Sequence, residues 1–388
     1  MEELKREVKR DAIKKDRRLL KSFRERYPKR PFCWIASARL EEQAEEMEAA
    51  WQLIQKGCEE CPNSEDVWLE ACRIAIAAAR SSPNPNEAGK AVIAHGLKLI
   101  PNSVKLWLEA ANLEHDNSNK SRGWNTFLIP FCCGRRWLSS PLRRNRMRRT
   151  MQMQGRKAKE AYDLGLTHCP NSIQLWLSLV NLEQNLNGLT SARAVLTLAR
   201  NKNPHNPQLW LAATRTELRH GNNKEADILM AKALHECPNS GILWAAYIES
   251  MILLPPSQWM AKIMDALMKC DYDPHVIAAV AKLFWHHCKV ERARTWLDRA
   301  VTIAPDIGDF WALYFQFELQ HGTDENQKDV LRRCIASQPK HGEKWQPIFK
   351  ALHNSHQPTE AILHQVVAVL AKEESSQQAR QAPQTDRL

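Results

Sequence analysis

Four groups of residues have types and spacings that could do chemistry. Cys58 and Cys61 stand as Cys-x-x-Cys, the spacing of half a zinc site. His286, His287 and Cys288 are consecutive and could offer ligands or a proton shuttle. Carboxylates recur at Glu41, Glu114, Glu183, Glu217 and Glu318, the residue type of a general acid. Arginines crowd at Arg143, Arg144, Arg146, Arg148 and Arg149, a candidate nuclear-import or RNA-contact patch.

Each group has a plainer explanation. A structural zinc takes four ligands, and no second pair with suitable spacing follows Cys61. Cys61, Cys169 and Cys237 each come just before a proline of the repeat described below, so they are expected in the core. Neighbouring residues at a helix end face different ways, which makes His286-His287-Cys288 a helix-terminal cluster. One Glu per repeat reads as a fold signature, expected to cap or bond a neighbouring helix. A Gly-rich phosphate loop, a Ser/His/Asp constellation and a helicase motif are all missing from the sequence. The expectation is no enzyme, no metal, no cofactor and no small-molecule substrate.

The elements that hold these residues are announced by a repeat. Proline is followed six residues later by tryptophan at Pro28/Trp34, Pro62/Trp68, Pro101/Trp107, Pro170/Trp176, Pro204/Trp210, Pro238/Trp244, Pro305/Trp311 and Pro339/Trp345. Pro274 is a further anchor, with Val280 at the Trp place. Most prolines lie about one ~34-residue period apart, the length of a helical-hairpin repeat. Pro101 and Pro170 lie 69 apart, about two periods, so one repeat is expected to be lost or unrecognisable within the basic segment. The prolines of Pro-Asn-Ser place Ser64, Ser103, Ser172 and Ser240 at the N-cap of a first helix. Each recurring Glu follows its Trp by seven residues, nearly two turns, and shares its face. The second helix carries small residues twelve and five before the next proline, as in Gly89 and Gly96 or Ala192 and Ala199. That stripe lets a helix approach closely, with Leu53, Ile54, Leu196, Leu229 and Leu297 filling the rest of the buried face. A hairpin of this kind cannot bury its own apolar face and must stack on its neighbours. The predicted fold is all-α, an α-solenoid of HAT/TPR-like helical hairpins in a right-handed superhelix.

Composition agrees. The 388 residues are 44% hydrophobic and 26% charged, which is globular, and 13 Gly beside 14 Trp disfavours sandwiches and barrels. Eleven cysteines without a secretory signal read as reduced thiols in a nuclear or cytosolic protein. The apolar runs are too short for a bilayer. Lys+Arg minus Asp+Glu is 55 − 44 = +11, and residues 120–157 hold eleven basic and no acidic residues. The rest is therefore 44 against 44, a neutral body on which a long basic groove is not expected.

Trp is followed by Leu in Trp68-Leu69, Trp107-Leu108, Trp176-Leu177 and Trp210-Leu211, which resembles HAT repeats more than ordinary tetratricopeptide repeats. Longer stretches sharpen the resemblance. WIASARLEE from Trp34, NSEDVWLEACRIA from Asn63 and KAVIAHGLKLIPNSVKLWLEAANLEHD from Lys90 look like early repeats of the pre-mRNA-processing factor 6 family. SARAVLTLARNKNPHNPQLWL from Ser191, LMAKALHECPNSGILW from Leu229, DPHVIAAVAKLFW from Asp273 and DIGDFWALYFQFELQHG from Asp306 are similar to its last repeats. The resemblance implies a non-catalytic nuclear scaffold of the spliceosomal tri-snRNP, with snRNP proteins as partners, weak or indirect RNA contact and no membrane. It also implies a shortened relative, without the family's N-terminal region and middle repeats.

The domain expectation is a tail at 1–12, early-type repeats at 13–119, a basic irregular insertion at 120–156, late-type repeats at 157–374 and a disordered tail at 375–388. The alternatives are a tetratricopeptide-like adaptor or co-chaperone and a truncated product without function. A co-chaperone clamp needs Lys, Arg and Asn on the first helix, and Trp-Leu-Glu-Ala-Ala is expected to lack them.

Overall fold

The computed structural model describes residues 2–81, 84–114, 141–252, 254–351, 354 and 357–381. These residues are overwhelmingly helical, and their only strand-like pairing is a parallel bridge between Ile307 and His341. The chain divides into two compact units, Met1–Pro204 and His205–Leu388. Unit one holds α1 (Glu2–Arg26), α2 (Pro31–Gln43), α3 (Met47–Glu60), α4 (Glu65–Ala78), α5 (Pro85–Leu99), α6 (residues 104–114), α7 (Pro141–His168), α8 (Ile173–Asn187) and α9 (Leu189–Lys202). Unit two holds α10 (Pro207–Arg219), α11 (Asn223–Glu236), α12 (Gly241–Ser250), α13 (Pro256–Lys269), α14 (Pro274–His286), α15 (Val290–Ile303), α16 (Gly308–His321), α17 (Asp324–Ser337), α18 (Trp345–Phe349) and α19 (Thr359–Gln381).

From α2 onward the helices pair as hairpins, an even-numbered first helix with the odd-numbered second helix after it. Every signature Trp is buried, from Trp345 at 0% exposure to Trp210 at 9%. The six-residue spacing has a specific cause. The indole N–H of Trp34, Trp68, Trp107, Trp176, Trp244, Trp311 and Trp345 donates to the carbonyl of the proline six residues back, at 2.7–2.9 Å. A buried indole needs a partner for its N–H, and the turn before its own helix supplies one.

The small residue five before the proline lies against this indole. A Cβ on Gly57 would come within 2.8 Å of Trp34 Cβ; on Gly96 and Gly165 it would come within 3.0 Å of Trp68 and Trp107 Cγ. The bare backbone of the second helix thus receives the ring of its own first helix.

That rule locates the long interval. Gly165 of α7 lies on Trp107 of α6, the His168 and Trp107 rings stack at 5.8 Å, and the Cys169 thiol reaches Asn102 O at 3.3 Å. α6 and α7 therefore pair as one hairpin across the 69-residue interval. Some of the 69 − 34 = 35 additional residues lengthen α7 at its start and the others stand between α6 and α7 in sequence, so the described part of the interval is one split repeat.

Two segments expected to be irregular or disordered are helical where described: the stretch 141–156 is the first half of α7, and α19 runs to Gln381. The N-terminal tail at 1–12 belongs to α1 from Glu2. Residues 115–140 and 382–388 lie outside the described residues. The physical reason is propensity: after Pro141, Leu, Arg, Met and Gln run without Gly until Gly155, a composition that favours helix without any repeat pattern.

Ser64, Ser103, Ser172 and Ser240 precede first helices as expected, but only two make the capping bond. Ser103 Oγ accepts from Leu106 N at 3.3 Å and Ser172 Oγ from Leu175 N at 3.5 Å; Ser64 and Ser240 make none. In the last hairpin the first helix is a single turn, α18. Asp309 of α16 accepts from Lys344 N and Trp345 N, at 3.1 and 2.8 Å, and fixes its start.

Candidate functional site

The recurring Glu ends each first helix, and the structure shows what it holds. Glu41 takes Arg17 Nε at 2.9 Å, Glu114 takes Lys90 Nζ at 2.9 Å, Glu183 lies 2.7 Å from Lys159 Nζ, and Glu318 takes Arg294 Nε at 2.7 Å. In every pair the base stands 24 residues earlier, on the second helix of the preceding hairpin. The sequence places Arg193 at the same spacing before Glu217, and the Glu217 carboxylate accepts from Asn222 Nδ2 at 2.9 Å.

Glu318 and Glu183 are 0% and 1% exposed, and a carboxylate this deep persists only with a partner. Burial alone would push the Glu183 carboxyl up, but hydrogen bonds from Lys159 and Asn187 override it and hold it below the usual range. Three junctions lack both members: Trp51 stands in register with Ala75, Asp227 with Met251 and Ile263 with His287. The last keeps the base alone, with Lys328 in register with Leu352. Where both are present the pair is an inter-repeat lock.

A second polar row lies five residues after Trp. Arg39 donates to Glu70 at 2.8 and 3.0 Å, and Arg73 reaches both Glu70, at 2.8 Å, and Glu42. In unit two Arg215 meets Glu343 at 3.1 Å. Burial tends to raise the Glu70 carboxyl, yet the two guanidinium groups hold it at about 2. The expectation that first helices lack basic residues is therefore corrected. Arg39, Arg73 and Arg215 stand on first helices, and each is matched by an acid from another repeat.

The remaining sequence candidates come apart. Cys58 is buried, its thiol pushed up to about 12 by desolvation, and Cys61 points at Pro28 O, 3.5 Å away. His287 packs on Trp259 with ring centroids 5.7 Å apart, while Cys288 is exposed beyond the end of α14. Among the described residues no group of three or more His, Cys, Asp or Glu is placed to hold a metal ion. No helix among them is long and apolar enough to cross a membrane. The backbone of Arg143, Arg144, Arg146, Arg148 and Arg149 is the first part of α7; their side chains lie outside the described residues.

Sequence reasoning missed the base of the lock. Its signal was present as Lys or Arg eleven residues before the proline, next to the small residue already singled out. It also missed a second concentration of charge. Between Ile13 and Arg30 nine Lys or Arg face only Asp16 and Glu25, so the body outside 120–157 is neutral in sum and not in distribution.

Comparison with known proteins follows the same lines. The family model "PRP6, TPR-like domain" matches residues 1–367. Protein STABILIZED1 of Arabidopsis thaliana is 61% identical over 122 residues, 31% of this chain and 12% of that protein. Pre-mRNA-processing factor 6 of Homo sapiens is 50% identical over 97 residues, 25% of this chain and 10% of that protein. Pre-mRNA-splicing factor prp1 of Schizosaccharomyces pombe is 30% identical over 213 residues, 55% of this chain and 23% of that protein. The matched stretches thus span less than a quarter of each of these relatives.

Proposed function

Because this chain belongs to the PRP6 TPR-like family, we propose that it is a non-catalytic scaffold of pre-mRNA splicing that holds spliceosomal snRNP proteins on its repeat surface in the nucleus. The observation that carries this reading is the internal use of charge. Glu41, Glu114, Glu183 and Glu318 are bound to bases of the preceding hairpin. Arg39, Arg73 and Arg215 are bound to acids of other repeats, Glu70, Glu42 and Glu343. The charged groups fix repeat against repeat, so recognition falls to the shape and apolar content of the outer surface, as suits folded protein partners.

The co-chaperone reading needs those arginines available for a peptide carboxylate, and their pairing speaks against it. Affinity purification of the tagged chain from nuclear extract tests the choice. Enrichment of snRNP proteins is expected; recovery of chaperones without them overturns the proposal. Direct RNA affinity, where measured, is expected to fall steeply with salt and to disappear on deletion of residues 121–154. Affinity unchanged by that deletion removes the basic segment from any RNA role.

A further inference from the structure

Within unit two, α13 is a second helix displaced along its repeat. α15 ends two residues before Pro305, whereas α13 ends five before Pro274. Its buried row, Trp259, Ile263, Ala266 and Leu267, stands three residues farther from the proline than Ala293, Leu297, Ala300 and Val301 of α15. The residues so released form a longer turn, in which Asp271 and Tyr272 are both left-handed, with φ 47° and 56°. A bulky side chain takes that conformation only at a cost, and here Arg299 of α15 lies 4.8 Å over the Tyr272 ring.

The displacement changes what this helix offers the next hairpin. In α15 one row holds Arg294 and Asp298, which bind Glu318 of α16 and Arg333 of α17, each at 2.7 Å. Moved back by three, the same places in α13 are Met260 and Met264, with Met268 one turn on. These three and Tyr272 are 39–67% exposed. The arginine that would meet this row has stayed: Arg299 stands six residues before Pro305, as Arg333 stands six before Pro339. With Met264 at the place of its acid, Arg299 lies over Tyr272 and over Trp296, 5.8 Å from the latter ring. Arg292 shares its face of α15, two turns away. Neighbouring acids are spent elsewhere, Asp265 on Lys269, Glu291 on Arg294 and Asp298 on Arg333. Among the described residues neither Arg292 nor Arg299 forms an ion pair.

We propose that the face shared by α13 and α15 receives an acidic amphipathic α-helix of a partner protein. Its apolar side chains lie along Met260, Met264, Met268 and Tyr272, and its carboxylates meet Arg292 and Arg299. A row at every fourth residue is a ridge that fits the groove of another helix, and methionine adapts to the side chains it meets. The carboxylate supplies from outside what Asp298 supplies to Arg333. Single-stranded nucleic acid fits less well, because a thioether row gives bases nothing to stack on and Arg299 already covers both rings. The inference stands on these helices of unit two and does not rest on the splicing assignment.

The test uses the full chain and a labelled synthetic helical peptide with a Leu stripe and Glu elsewhere, read by fluorescence anisotropy. The wild type is expected to bind, more weakly as salt rises. Met264→Asp restores the acid that Arg299 lacks, and it should weaken binding by about tenfold or more, as should Arg292→Glu. Both side chains are exposed, so circular dichroism of the variants should match the wild type. Arg332→Glu on α17 alters net charge equally and should leave binding unchanged. Four results would overturn the proposal: no binding by the wild type, equal binding by Met264→Asp and Arg292→Glu, equal loss in Arg332→Glu, or equal binding of a Lys-for-Glu peptide. An oligouridine that binds with the same dependence on Met264 and Arg292 would overturn it too. So would a dimer in sedimentation equilibrium that Met264→Asp dissolves, which assigns the face to a second copy.

Discussion

Two junctions between neighbouring hairpins solve one packing problem in opposite ways. Between α15 and α16 the lock is ionic: Arg294, three-quarters buried, clasps Glu318, which is fully buried. Between α3 and α4 the corresponding residues are Trp51 and Ala75, and the nearest buried carboxylate, Glu70, sits on the other row with Arg39 and Arg73. The same stacking is thus reached with a charge pair or with apolar side chains, Trp51 packing on the core that α3 and α4 share. Half of a charge pair is worse than either, since an unmatched buried carboxylate costs more than the complete pair contributes.

The largest expected effect breaks the ionic junction. Arg294→Ala should destabilise unit two by about 3–5 kcal/mol in denaturant unfolding, because Glu318 is left buried and unmatched. Loss of hydrogen-exchange protection should concentrate in α15–α17. Converting one junction into the other is the sharper experiment. The double variant Arg294→Trp with Glu318→Ala should recover more than half of that loss, because the apolar pair carries no stranded charge. A double variant no better than Arg294→Ala would end the equivalence.

Gly57→Ala should cost about 1–3 kcal/mol, since its Cβ meets Trp34 in a packed interface. Acid should separate the junctions by way of Glu70. Its folded pKa is depressed, from 4.5 to about 2, so its contribution is fully present above the unfolded value and is lost as pH falls from there toward 2. In Glu70→Gln the stability of unit one should fall less over that window, as followed by urea unfolding at a series of pH values. Smallest of all, Ser172→Ala should cost about 1 kcal/mol and Ser64→Ala close to nothing, since only the first hydroxyl caps its helix.

The hairpin array was legible because proline and tryptophan mark it every ~34 residues, and the reason for the mark is local: a six-residue clasp between indole and carbonyl. The locks were not legible in the same way. They run between hairpins, and following each helix forward from Trp finds Glu318 without asking what stood 24 residues earlier. α1 was hidden by summation, because the excess at Lys14–Arg30 is cancelled by acids elsewhere in the chain. The helical half of the insertion was hidden by its lack of repeat features, which helix formation does not require.

The split hairpin has a consequence for how such a chain can grow. Indole, glycine and thiol contacts fix the two helices from their far ends, so residues added between the helices leave those contacts in place. Lengthening a connection of this kind costs about 0.6 kcal/mol per doubling, less than one lost indole contact. New coding sequence can therefore settle at this bend of the molecule, whereas the same number of residues placed within α8 or α16 would pull tryptophan away from its proline.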